Sequence, residues 1–104
     1  MLKFYGSHMC PYCREGRANF DAHGIAYEFF DINESLKNLA EFLDMRDHLP
    51  VFDELKAEGD IGLPAIVKED GTVFVDWEIY LQELGLPVVY REDAPACGLD
   101  HKNC

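Results

Sequence analysis

The stretch Phe4-Tyr5-Gly6-Ser7-His8-Met9-Cys10-Pro11-Tyr12-Cys13 decides how the rest of this sequence is read. Leu2, Phe4 and Tyr5 make a short strand, Leu2 to Gly6, that ends just before two cysteines three residues apart. From Pro11 to about His23 the chain reads as a helix. Cys10 stands at its N-cap and Pro11 at its first position, where a missing N–H costs nothing. Gly24 follows where helices often close on a left-handed residue. Ile25 to Ile32, rich in β-branched and aromatic residues, reads as a second strand. A strand, a crossover helix and a second strand make a parallel, right-handed β–α–β unit.

Downstream, Leu36, Leu39, Ala40 and Leu43 repeat at helical spacing and predict an amphipathic helix from about Glu34 to Met45. Asp47-His48-Leu49-Pro50 breaks it. A further helix runs from Pro50 to Glu58, with Gly59 as its stop. Ala65 to Lys68 and Thr72 to Val75 flank Glu69-Asp70-Gly71, and Asp-Gly is a strong hairpin signal. Asp76 caps a last helix with Trp77, Tyr80, Leu81 and Leu84 facing inward, closed by Gly85. The order predicts an α/β fold: a mixed four-stranded sheet with helices on both faces. Residues 1–85 form the domain and 86–104 a tail, apolar enough to pack as far as Tyr90.

Four cysteines in 104 residues admit a disulfide framework, a metal site or a redox centre. The N-terminus Met1-Leu2-Lys3-Phe4-Tyr5-Gly6-Ser7 is too mixed for a secretory signal, which predicts the cytoplasm, where thiols stay reduced. No apolar run approaches the roughly 18 residues of a membrane helix. The formal charge of −11 argues against nucleic acid and anionic membranes as partners.

Placing Cys10 at a strand–helix junction suits redox chemistry. Thiol–disulfide exchange needs a thiolate, and an ordinary cysteine, with a pKa near 8.5, is mostly protonated at neutral pH. Bringing that value to neutrality takes about 2–3 kcal/mol of differential stabilisation. Unpaired N–H groups and the positive helix end supply stabilisation of that kind. Cys13, one turn on, lies within bonding distance and can resolve a mixed disulfide on Cys10. Cys10 is therefore expected to be the more exposed and more acidic of the two.

The same stretch resembles the active-site segment of dithiol glutaredoxins. Gly24-Ile25-Ala26-Tyr27-Glu28 with Asp31-Ile32 resembles their second strand. Gly62-Leu63-Pro64-Ala65-Ile66-Val67 stands where that family has Thr-Val-Pro. The resemblance covers roughly Met1 to Gly85. It implies a thioredoxin-like fold in which Leu63–Pro64 is cis and faces the cysteines, so that the backbone beside it can pair with an extended substrate. It also implies an oxidoreductase acting on disulfide-containing proteins or glutathionylated substrates. No cofactor is then tightly bound, glutathione is a candidate co-substrate, and glutathione or a thioredoxin-type reductase returns the electrons. Tyr12, Leu63, Pro64 and Asp76 are the expected substrate-binding residues, with Tyr12 as an exposed aromatic lining the groove.

Two departures weaken the implied glutathione site. Ser7 stands where the family usually has a lysine for one glutathione carboxylate, leaving Arg14 or Lys3 as candidate replacements. Val75-Asp76, then Trp77-Glu78, replaces a Gly-Gly pair, so Asp76 sets a negative charge where an anionic group would dock. The rival function is metal binding. Cys97, His101 and Cys104 have soft-ligand spacing and, with or without Cys10 and Cys13, form a candidate zinc site. An iron–sulfur cluster held by the first cysteine and glutathione is the family's other metal chemistry. Of the remaining residues, His8 reads as a solvated loop histidine or a proton partner of Cys10, and His23 and His48 as helix-end residues. Trp77 reads as core with its N–H reaching a partner, and Gly16 as a close approach of helix to sheet.

Overall fold

The strand that leads into the cysteines is the hub of the sheet. In the computed structural model, which describes residues 1–90, β1 (Leu2–Gly6) lies between two neighbours. It pairs in parallel with β2 (Tyr27–Asp31) and antiparallel with β3 (Ala65–Val67), which in turn pairs antiparallel with β4 (Val73–Phe74). The order is β2-β1-β3-β4, the expected mixed four-stranded sheet. The helices are α1 (Pro11–Ala22), α2 (Leu36–His48), a 3₁₀ turn at Pro50–Phe52 leading into α3 (Asp53–Ala57), and α4 (Trp77–Glu83).

Alternation along β1 assigns the two faces. Phe4, fully buried, meets Phe20 of α1 edge-on at 5.7 Å between ring centres, and Phe20 meets Tyr80 of α4 at 5.9 Å. Tyr5 points the other way, stacks on Phe30 at 4.8 Å and donates its hydroxyl to Glu41 of α2 at 2.9 Å. Thus α1 and α4 cover one face and α2 the other. Burying each aromatic of this kind contributes about 1.5–3 kcal/mol.

Several boundaries differ from expectation for local reasons. Gly24, at φ 69°, closes α1 in a Schellman motif: its N–H reaches Asp21 O, and the Ile25 N–H reaches Phe20 O at 2.9 Å. Ile25 therefore belongs to the helix end, and β2 begins at Tyr27 rather than Ile25. On the far side α2 is capped by Ser35, whose hydroxyl accepts from the Asn38 N–H, and runs to His48. It stops because Leu49 precedes Pro50, which holds it extended at ψ 133°.

The face of α2 also differs. Leu36 is 83 % exposed and Leu43 is exposed, while Phe42 is buried edge-on against Phe52. The inward stripe is Phe42 and Met45, continued by Leu49, with Leu39 half-buried. In α4, Trp77 and Leu81 are buried as expected, but Leu84 is the exposed C-cap.

Trp77 carries a second correction. Its Nε1 is buried and has no hydrogen-bond partner among the described residues. The indole lies instead on Gly16, where a Cβ would stand 3.0 Å from both Cδ1 and Nε1. Gly16 thus admits α4 to α1, not α1 to the sheet. Beyond Gly85 the chain stays attached: Asn19 and the Val89 backbone exchange two hydrogen bonds of 2.8 Å, and Leu86 and Val88 are half-buried. Cys97, His101 and Cys104 lie outside the described residues. Among the described residues no helix is long and apolar enough to cross a membrane.

The Gly16–Trp77 contact sets a measurable balance. Gly16→Ala gains about 1 kcal/mol of helix propensity but drives a methyl into a rigid indole, at about 1–3 kcal/mol. We expect a net loss of about 1 kcal/mol in urea unfolding, relieved when Trp77→Phe is added. Stabilisation by Gly16→Ala alone would contradict this packing.

Candidate active site

The chain reaches Cys10 through a tight turn that Ser7 builds. The buried Ser7 hydroxyl accepts from the Met9 N–H at 3.0 Å and donates to Asn33 Oδ1, and the Ser7 carbonyl accepts the Cys10 N–H. Cys10 then takes extended angles (φ −94°, ψ 115°), as an N-cap must, and Pro11 opens α1. The Cys10 sulfur accepts the Cys13 N–H at 3.4 Å, so it occupies the place where a capping oxygen usually sits.

These contacts split the two thiols. The Cys10 value falls to about 7, chiefly through the hydrogen bond from the Cys13 thiol. Burial opposes that fall, while the Cys13 and Tyr12 N–H groups and the Arg14 charge add to it. Cys13 moves up, first by burial and then by the hydrogen bond and charge of Cys10. Two sulfurs one turn apart thus differ in ionisation because Cys10 accepts from the Cys13 thiol and the helix-start N–H groups, while Cys13 is the more desolvated. The exposure difference is narrow: 3 % for Cys10 against 0 % for Cys13. Acidity separates the pair far more than access does.

Gly6 makes the room for Cys13. A Cβ there would stand 3.2 Å from Cys13 Sγ and 3.1 Å from the Phe4 ring. Antiparallel pairing of Tyr5 with Ala65 carries Leu63 and Pro64 to the same end of β1. The Leu63–Pro64 bond is cis, Pro64 is fully buried, and Leu63 joins the buried cluster that holds both cysteines.

Tyr12 departs from its expected place. It is half-buried, its ring lies 5.3 Å from that of Trp77, and its hydroxyl donates to Glu78 Oε1 at 2.7 Å. Burial first, then the bond to Glu78, pushes its ionisation well up. Asp76 caps α4, accepting from the Ile79 N–H at 3.2 Å.

The basic residues are similarly tied. Arg14 Nη1 donates to the His8 carbonyl at 2.8 Å. Arg17 lies 3.7 Å from the centre of the Phe29 ring, donates to the Tyr27 hydroxyl and meets His8 Nδ1 at 3.2 Å. His8 also rests edge-on against Phe29, with Nε2 3.7 Å from Asp31. Its ring is exposed but belongs to a cluster, unlike a solvated loop histidine. Lys3 lies about 10 Å back along β1 from Gly6, too far from the turn to replace a lysine at Ser7. Glu78, Arg17 and Gly6 were not singled out as site residues in the sequence. Gly6, ending a strand beside the cysteines, and Arg17, on one helix face with Arg14, carry local signals. Among the described residues no group of three or more His, Cys, Asp or Glu could hold a metal ion.

Comparison with known proteins agrees with this geometry. Residues 2–70 match the family model described as Glutaredoxin. The chain is 37 % identical over 75 residues to an uncharacterized protein of Haemophilus influenzae, spanning 72 % of this chain and 86 % of that protein. No solved structure matches it.

The ionisation split predicts selective alkylation. At mildly acidic pH, iodoacetamide should modify Cys10 well before Cys13, as mapped by mass spectrometry of the reduced protein. Preferential modification of Cys13 would reverse the two assignments.

Proposed function

Because the chain belongs to the glutaredoxin family, we propose that it is a dithiol thiol–disulfide oxidoreductase in which Cys10 attacks and Cys13 resolves. The observation that carries this reading is the Cys13 N–H donated to the Cys10 sulfur at the mouth of α1. A thiolate held near a pKa of 7 is about half formed at neutral pH, against about 3 % for an ordinary cysteine.

The Cys10 thiolate attacks one sulfur of a substrate disulfide. The substrate S–S bond breaks, a Cys10–substrate disulfide forms, and the departing thiolate takes a proton from water. Cys10 no longer carries a charge at that point, which removes one of the causes that keep Cys13 protonated. Cys13 then releases its proton to water and attacks Cys10 Sγ. The mixed disulfide breaks, Cys10–Cys13 forms, and the second substrate thiolate leaves and is protonated. The substrate gains two electrons and two protons, and the pair loses them. Two equivalents of glutathione, or a thioredoxin-type reductase, would restore the dithiol.

Substrates on this reading are disulfide-containing or glutathionylated proteins in the cytoplasm, with no tightly bound cofactor. On this reading the backbone beside the cis Leu63–Pro64 bond pairs with an extended substrate, and Tyr12 shapes the approach through its bond to Glu78. Glutathione itself fits poorly. Ser7 is closed into its turn, Arg14 is engaged with the His8 carbonyl, and Asp76 adds a negative charge.

That mismatch gives a direct test. Reduction of a glutathionylated peptide should be slow, and Asp76→Asn should speed it roughly fivefold, the equivalent of about 1 kcal/mol of relieved repulsion. Asn caps helices as well as Asp, so stability should change little. Unchanged turnover in Asp76→Asn would remove Asp76 from the account of glutathione.

A further inference from the structure

Between β4 and α4 the surface opens into a groove of about 170 Å³ that the thiol chemistry leaves unused. Its floor is apolar. Val51 of the 3₁₀ turn and Ile79 of α4 line it with Val75, and they are 40 % and 51 % exposed. Leaving branched side chains open to water forgoes roughly 25 cal/mol for each Å² they could bury. A cavity of about 150 Å³ accepts a benzene-sized group, so one aliphatic side chain fits.

The rim is acidic. Asp76 and Glu83 line it, while Lys68 on the opposite wall is held over the rings of Phe74 and Tyr80, 5.6 Å from each centre. Two carboxylates against one ring-bound ammonium leave the opening net negative, on a chain of formal charge −11. The groove borders the start of α4, which Tyr12 of the cysteine loop meets at Glu78 and Trp77. Asp76 borders it and at the same time bears on the Tyr12 phenol, while Glu78, two residues on, accepts the Tyr12 hydroxyl.

We propose that this groove docks the polypeptide around the attacked disulfide, selecting segments that place an aliphatic side chain next to Lys or Arg. The proposal rests on the oxidoreductase reading above and names its substrate class. Charge complementarity commits it to a cationic partner. A second copy of the chain would bring an equally acidic rim to the same place and be repelled.

The test uses the full reduced chain in single turnover, so that no reductant is needed. Three disulfides are compared: hydroxyethyl disulfide, which is small and uncharged, and two peptides alike except that Leu-Lys or Leu-Glu flanks the disulfide. The Lys peptide should react roughly tenfold faster than the Glu peptide at low salt, with the gap closing as salt rises. Ile79→Ser and Glu83→Gln, both surface changes, should each narrow that gap. Equal peptide rates alongside normal reduction of hydroxyethyl disulfide would overturn the docking proposal and leave the oxidoreductase reading intact. Failure to reduce all three would overturn that reading, and the proposal with it. A preference untouched by both substitutions would trace to the overall charge and overturn the groove. Concentration-dependent self-association abolished by Ile79→Ser would give the face to a second copy and overturn it equally.

Discussion

The Cys13 N–H donated to the Cys10 sulfur joins the fold to the chemistry. A helix start leaves N–H groups without partners, and something must accept from them. Most chains answer with a serine, threonine or aspartate oxygen. Here a sulfur does so, and sulfur is a better acceptor as thiolate than as thiol. The N–H that completes the helix also favours the thiolate, adding to the larger contribution of the Cys13 thiol. The charge is stabilised by groups whose own need is structural.

Much of the remaining structure keeps that helix end in place. β1 aims the chain at it from the middle of the sheet, and Ser7 turns the corner. Arg14 and Arg17 hold the turn from the helix side through the carbonyl and ring of His8. Tyr12 fastens the loop between the cysteines to α4 through Glu78 and Trp77. Two glycines supply close approach, Gly6 beneath Cys13 and Gly16 against Trp77. Removing either would press on the pair from a different side, although neither touches substrate.

What the sequence made legible was local. The strand–cysteine–helix junction, the caps at Cys10 and Asp76, the glycine stops at Gly24, Gly59 and Gly85, and the Asp70-Gly71 turn each follow from a few neighbouring residues. All of these recur in the structure. What stayed hidden depends on distant packing. α2 carries two overlapping apolar stripes, and contact with Phe52, not periodicity, selects the one containing Phe42. Trp77 packs on Gly16 with its Nε1 lacking a hydrogen-bond partner among the described residues, an arrangement no local pattern signals. Tyr12 and Glu78 are 66 residues apart, and their bond needs the finished fold. Of the expected site, Cys10 and Cys13 came from position along the helix, whereas the setting of Leu63 and Pro64 came from family resemblance.

Ionisation of Cys10 reports most directly on the coupling between cap and nucleophile. Thiolate absorbance can be titrated in reduced protein carrying Cys97→Ser and Cys104→Ser, so that only the first pair contributes. Deprotonation lowers the charge of one sulfur, so absorbance should rise with pH, with a midpoint near 7 for Cys10. Cys13, held protonated by burial, stays silent in that range. Adding Cys13→Ala, which removes the thiol donor but keeps the backbone N–H, should move the midpoint up part of the way and leave it below the ordinary value near 8.5. A midpoint already at that ordinary value in the native pair, or one that Cys13→Ala carries all the way to it although the capping N–H remains, would contradict the account.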